Sequence, residues 1–594
     1  MCVACSPLMT VVTNGFSKAS RRAVLRGAGT AALSAGFATT AGRFLCSAAT
    51  AQAAPGDSLY SGGPILTMND SQPEAEAVLV RAGRIVAAGS HADVARQAVG
   101  VPRLVDLAGR TMLPGFFDPH GHVVMVGLQS LSANLLPAPD GEGNDIPALQ
   151  RLIRAWIGRN AAVIARYNLV IGFGYDDSQL REQRHPTRKD LDAVASEVPI
   201  LIIHQSSHLG VGNSKALELA GITAATPNPE GGVFRREAGS QQPNGVCEEY
   251  AFFQLAGALL SRFDEDAYLA MIKAGAAFCA SFGYTTIQEA RAMGATSAML
   301  SKAAERGLLA ADVLVYPDIL DPTNTIEPSR RYRNRYRVGG AKMTIDGSPQ
   351  GKTAWLTQPY FVPPEGQGPD YAGYPAITKE EAAAAIDQAF AKGWQILVHC
   401  NGDAAIDLLI AAVGAATRKH GQQDRRPVLI HGQTCRLDQL DPLKALGIIP
   451  SFFPMHTFYW GDWHRDSVLG PARAENISPC ASALERGMIF TTHHDAPVAN
   501  PDSMRVLSAT VTRRTRSGDI LGPQQRVSAR DALKAMTIWP AYQHYEEATK
   551  GSIEAGKLAD FVLLDRNPLA VSPEVLSELK VVETIKEGQT IYRA

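Results

Sequence analysis

The chain has 594 residues, 45% of them apolar and 19% charged, an ordinary globular make-up with room for several domains or one large barrel with additions. Lys plus Arg (57) nearly cancels Asp plus Glu (58), which leaves no basic footprint for nucleic acid or an anionic membrane. Five of the eight cysteines, Cys247, Cys279, Cys400, Cys435 and Cys480, follow the expected mature start. They are odd in number and lack CxxC spacing, which argues against a disulfide framework and a structural zinc site.

Residues 1–53 read as a twin-arginine signal peptide. Ser20-Arg21-Arg22-Ala23-Val24-Leu25-Arg26 is followed by a short apolar stretch over 27–42 and by Ala51-Gln52-Ala53, an A-x-A cleavage site. The expected product is periplasmic or secreted, with no membrane anchor after cleavage. Residues 57–110 read as strands and turns, with a hairpin over 77–89 that turns at Ala82-Gly83. A matching β-rich stretch, 550–594, closes the chain, and the two ends are expected to form one small β-sandwich.

Between them, 111–545 reads as a (β/α)8 barrel. Strands are expected near 112–122, 284–289, 311–316, 341–346, 395–399, 427–431, 447–452 and 488–495, with Ala-rich helices between them. The interval of about 125–280 is too long for one connection and is expected to be an insertion covering the barrel mouth as a lid or second lobe. Four apolar runs end on metal-ligand residue types: 113–122 (LPGFFDPHGH), 395–399 (QILVH), 428–431 (VLIH) and 489–495 (IFTTHHD). Such run ends fall on the C-terminal rim of a barrel, where active sites sit. Residues two apart on a strand share a face, so His120 and His122 point together, with Gly121 leaving room between them.

These runs and several further stretches resemble the metal-dependent amidohydrolase superfamily, and within it the large-insert subgroup that includes N-substituted formamide deformylases. The further stretches are 172–177 (GFGYDD), 208–214 (HLGVGNS), 346–348 (DGS), 399–403 (HCNGD), 495–498 (DAPV) and 551–560 (GSIEAGKLAD). The resemblance spans about 57–594. Two departures stand out: Glu289 where the subgroup usually has Asp, and His493-His494 where a small residue usually precedes the Asp.

The resemblance implies a small-molecule hydrolase with one or two divalent ions, zinc by preference, since imidazole and carboxylate suit such ions. His120, His122 and Asp495 would hold a more buried ion, and His399 and His431 a second one nearer solvent. Lys342 has two readings: a CO2-derived carbamate bridging the ions, or a strand-end lysine pairing with Asp346. The family's eighth-strand Asp, here Asp495, takes a proton from water and delivers it to the leaving nitrogen; a helix N-cap before Ala496-Pro497 is its other reading. Asp118 is expected to orient a histidine.

His208, His456 and Trp460 are candidate substrate-binding residues. The aromatic loop 452–460 reads equally as pocket lining or as core, and His204 and His464 as hydrogen-bonded histidines. Asn401-Gly402-Asp403 is expected to cap a helix. The function expected is cleavage of a C–N bond in a small N-formyl, N-acyl or cyclic amide. Ester, carbamate or phosphotriester hydrolysis and a non-catalytic binding barrel are the alternatives, and a homo-oligomer is compatible with the sequence.

Overall fold

A computed structural model describes residues 56–364 and 366–594, so the expected twin-arginine signal and cleavage site lie outside the described residues. The two chain ends build one eight-stranded sheet, consistent with the expected β-sandwich. Ser58–Leu66 pairs with Glu74–Arg81, which pairs with Arg84–Gly89; Thr111–Pro114 joins Ser58–Leu66 to Phe561–Leu564, followed by Val581–Lys586 and Gln589–Arg593. Tyr60, Val78, Val80 and Ile85 bury against Phe561, Leu563 and Ile585. Both hairpin turns, Ala82-Gly83 (φ 48° and 75°) and Glu587-Gly588 (φ 50° and 73°), are left-handed, which matches the twist of the flanking strands. Their tips meet, since a Cβ on Gly83 would lie 3.0 Å from the Glu587 carbonyl oxygen.

The expected first barrel strand over 112–122 is therefore divided. Thr111–Pro114 belongs to the terminal sheet, and only Phe116–Phe117 enters the barrel. The chain changes sheets at Gly115, where a Cβ would lie 2.3 Å from Thr285 Cγ2. The Gly115 N–H donates to Asp560 in the terminal sheet, and the Phe116 N–H donates to Gly283 beside the barrel.

The barrel consists of two parallel arcs. One holds Phe116–Phe117, Tyr284–Ala292, Asp312–Pro317 and Tyr336–Val338; the other holds Ala341–Thr344, Ile396–Cys400, Val428–His431, Ile449–Phe452 and Thr491–Thr492. Most of these strands are buried throughout, which is why they read as near-continuous apolar runs. The arcs join where Ile319 N–H donates to the Lys342 carbonyl (2.9 Å). The other seam is closed by the backbone of Ala535 and Met536, whose carbonyls accept from Thr492 (3.1 Å) and Phe117 (2.9 Å). Tyr336–Val338 was not expected, and the last strand is shorter than 488–495 because the chain leaves the ladder in turns after Thr492.

Helix Val123–Leu131 starts directly after His122, and helix Glu265–Ala280 returns the chain to the second barrel strand. They cross with backbones in contact: a Cβ on Gly127 would lie 1.8 Å from the Met271 oxygen, and one on Gly275 2.1 Å from the Val123 oxygen. Between them stands the inserted unit. Ala133–Asn134, Val170–Tyr175 and Ile200–His204 run parallel, and Leu209–Gly212, Pro243–Glu249 and Gly232–Arg236 continue the sheet antiparallel. Its own core includes Ile153, Trp156, Tyr175 and Ile202. Among the described residues no helix is long and apolar enough to cross a membrane.

Candidate metal centre

Asp118 to His122 leave strand Phe116–Phe117 as irregular backbone rather than as the continuous strand expected. His120 and His122 nevertheless converge, with rings edge to face at 5.2 Å. Gly121 makes the room expected of it, and the Asp118 carboxylate fills that room: a Cβ there would lie 2.3 Å from Asp118 Oδ2. Asp495 Oδ1 lies 3.3 Å from His120 Nε2 and 3.1 Å from His122 Nε2. The ligand atoms of these three buried residues all lie within 4.8 Å of one another.

His399 and His431 complete the rim with rings 4.5 Å apart, and the His431 ring lies 5.1 Å from that of His120. The Gly347 carbonyl, 3.1 Å from His399 Nε2, accepts its N–H, which turns Nδ1 into the lone-pair nitrogen; Nδ1 has no hydrogen-bond partner. His431 is held from behind, its Nδ1 3.0 Å from His493 Nε2, while His493 Nδ1 contacts Ser451 Oγ at 3.0 Å. His431 Nε2 forms no hydrogen bond and lies 4.0 Å from Asp495 Oδ2. Buried polar atoms are rarely left unsatisfied. Bare imidazole nitrogens on His120, His399 and His431 around one carboxylate fit a divalent ion of the zinc type. His431 (φ 74°) and Asp495 (φ 52°) also occupy left-handed backbone, which costs a non-glycine residue about 1–3 kcal/mol and concentrates at functional sites.

Lys342 is fully buried on Ala341–Thr344. Burial, with Lys342 and neighbouring imidazoles, holds His120 and His431 well below the usual histidine range, so both are neutral. Burial also works against charge on His122, but Asp495 and Glu289 outweigh it and lift that imidazole to about 9. Burial raises the Asp118 carboxyl to about 7. Asp346, expected as the alternative partner of Lys342, accepts the backbone N–H groups of Asn401 (2.9 Å), Gly402 (2.7 Å) and Trp355 (3.0 Å).

The inserted unit, the loop after strand Ala341–Thr344 and helix Met455–Trp463 enclose a cleft of about 1070 Å³. His208 and Trp460 line it, along with Ser206, Ser348 and Gln350. Those last three residues also line a small chamber with His431, His456 and Asp495, so the cleft leads down to candidate metal-ligand residues. His208 is held by Glu249, 2.8 Å from its Nδ1. His456 is fully buried against Phe453, and its Nδ1 meets His464 Nε2 at 2.9 Å. The structure thus brings His456 to the chamber, and His208 and Trp460 to the wider cleft.

Four expectations need correction. The segment after the seventh strand is helix Met455–Trp463 rather than a loop; it is apolar on several sides, so no helical stripe shows in the sequence. No helix follows Asp495, whose carbonyl accepts from Val498 in a turn (2.9 Å), so it is not an N-cap. Helix Asp403–His420 begins as expected, with Gly402 as its N-cap, but no side chain caps it; Asn401 instead donates to the Gly347 oxygen that His399 uses (2.9 Å). Asp118 meets the backbone N–H of His120 (3.0 Å) and the ring of His494 (3.4 Å), not the ring of a ligand histidine. His493 was visible in the sequence only as a departure from the family pattern, without a role. Ser348 lay in a family stretch without a role and Gln350 carried no signal, because a wall of the chamber is made by chain segments far apart in sequence.

The Amidohydrolase family model matches residues 103–592, and the chain belongs to that family. It is 28% identical over 559 residues to the N-substituted formamide deformylase of Arthrobacter pascens, covering 90% of this chain and 98% of that one. It is 26% identical over 550 residues to the putative amidohydrolase YtcJ of Bacillus subtilis, covering 90% and 99%. Its fold matches that of an uncharacterized metal-dependent hydrolase from Pyrococcus horikoshii with a TM-score of 0.70 at 23% identity, covering 87% of this chain and 99% of that one.

Proposed function

We propose that the protein is an exported, metal-dependent hydrolase that cleaves the C–N bond of a small amide. The convergence of His120, His122 and Asp495, with Asp495 and His431 lining a chamber that shares residues with the cleft, carries this reading. Its likeness to the formamide deformylase supports N-formyl and other N-acyl amides as the first substrates to try. His120, His122 and Asp495 would hold one divalent ion, and His399 and His431 a second, with Lys342 as a carbamate between them. A bound divalent ion supplies Lewis-acid polarisation of the amide carbonyl and makes water a stronger acid.

The chain's own groups do the rest. The Gly347 carbonyl orients His399, and Ser451 and His493 orient His431, so that neither ring turns as charge develops. Asp495 Oδ2, turned toward His431, takes the proton of the attacking water and returns it to the leaving nitrogen, since an amide anion is a poor leaving group. The cleft would take the amine side, against Trp460 and His208, with the acyl group turned toward the chamber.

Chelator-treated protein reloaded with zinc should hold one or two ions per chain and turn over members of a panel of N-formyl, N-acyl and cyclic amides. Lys342→Ala should lower the metal content. Protein that holds no metal when zinc is supplied overturns the reading, and turnover confined to esters moves it to the other reaction class. Retention of an Arg21→Lys, Arg22→Lys precursor inside the cell tests the export clause.

A further inference from the structure

We propose a second kind of divalent-cation site, on the wall of the cleft, built by Asp176, Asp177 and His204 of the inserted unit. Among the described residues only two groups bring three such ligand atoms within 4.8 Å: the barrel cluster and this one. His204 Nε2 lies 3.1 Å from Asp177 Oδ1 and 3.6 Å from Asp176 Oδ1. Donors held about 2.0–2.2 Å from a tetrahedral zinc stand roughly 3.3 Å apart, so the spacing is that of a ligand set. His204 is 9% exposed, and its Nε2, aimed at the two carboxylates, forms no hydrogen bond. His185 stands on the far side, its Nδ1 3.6 Å from Asp177 Oδ1 and 3.2 Å from the Tyr175 hydroxyl, outside the three-residue set.

The sequence builds this cluster through its strands. Val170–Tyr175 and Ile200–His204 are neighbouring parallel strands, with Tyr175 registered against His204. Their carboxyl ends therefore place Asp176-Asp177 beside the imidazole, and the crevice outside strand carboxyl ends is where open α/β sheets bind ligands. Asp176, Asp177 and His204 all face the cleft, so a cation there presents its remaining coordination positions to whatever the cleft holds.

Burial works against a charged His204, yet the two carboxylates lift the imidazole to about 9, which marks Nε2 as a place that draws a cation. Burial would also raise Asp176, but His204 and Ser178 hold it at about 2. The rival occupant of Nε2 is a proton. Ser206 Oγ, 2.8 Å from Nδ1, would accept an Nδ1–H in the tautomer that leaves Nε2 its lone pair for a metal. The Ser206 amide, 3.0 Å from the same nitrogen, suits the opposite tautomer, in which an Nε2–H bridges the carboxylates as a plain ion triad.

Zinc-edge anomalous diffraction from crystals of the full mature chain, chelator-treated and soaked in a slight excess of zinc, separates the two. The site predicts a peak between His204 Nε2, Asp176 and Asp177 in addition to any in the barrel. Elemental analysis of Asp177→Asn should then find one ion per chain fewer than wild type, with the barrel peak unchanged. Anomalous density confined to the barrel, with equal stoichiometry in both proteins, overturns the site and leaves an ion triad only. The wild-type measurement stands whether or not the variant folds, and an empty barrel site would count against the catalytic reading without touching this one.

Discussion

Asp495 combines a left-handed backbone (φ 52°) with contacts to three histidines, and its two oxygens face different partners. A side chain so placed can be a ligand and a proton carrier at once, and one substitution separates the roles. Asp495→Asn keeps the shape but cannot relay a proton. Amide turnover should fall by about 10²–10⁴-fold, the usual size of a general acid–base contribution. An ester with a good leaving group should lose much less, because that group departs without protonation. Matched kcat/KM values for an amide and its ester check this. Equal losses with metal retained would take the leaving-group role away from Asp495.

At the scale of elements, the decisive contact is the crossing of Val123–Leu131 with Glu265–Ala280, since the first helix begins at His122 and the second leads into the second barrel strand. Both helices carry a glycine at the crossing because no Cβ fits. Gly127→Ala would set a Cβ 1.8 Å from the Met271 carbonyl oxygen, a backbone atom that cannot step aside. We expect a loss of about 1–3 kcal/mol or more, from overpacking. Gly158, inside helix Ile146–Arg159, has open space around it, so Gly158→Ala should be neutral or stabilising by up to about 1 kcal/mol. Thermal melts of the two variants should move in opposite directions; a Gly127→Ala melt like wild type would mean that the helices can separate freely.

Across the whole molecule, barrel and terminal sheet are tied by a buried ion network. Asp312 at the start of a barrel strand meets Lys550 (2.7 Å) and Lys586 (2.6 Å); Lys586 also holds Asp560 (2.7 Å), and Lys550 holds Glu546 (2.6 Å). Burial alone would raise the Asp312 carboxyl, but the two lysines outweigh it and hold the group well below the carboxylate range. A carboxyl depressed in the folded state adds stability that is complete above its unfolded value of about 3.9 and is lost as pH falls below it. Asp312→Asn leaves two buried ammonium groups short of a counter-charge, and breaking a buried pair costs about 3–5 kcal/mol. Denaturation between pH 3 and 7 should show a lower melting temperature at neutral pH and a smaller further loss on acidification than wild type. An unchanged acid limb would remove Asp312 from the acid response.

Much of this molecule was legible from local pattern. Apolar runs ending on His120, His122, His399, His431 and Asp495 pointed to a parallel barrel with ligands at its rim. Turn chemistry at Ala82-Gly83 and the β-rich stretch over 550–594 pointed to a terminal sheet, because such signals depend only on residues near one another in sequence. What tertiary structure alone decided were relations between distant segments. These include the change of sheet at Gly115, closure of the barrel through Ala535 and Met536, and the placing of His493 behind His431 and of Asn401 beside His399. The cluster of Asp176, Asp177 and His204 likewise exists only because two strands some thirty positions apart lie in register. A side chain's partner across the fold is set by packing of the whole chain, and no local periodicity encodes it.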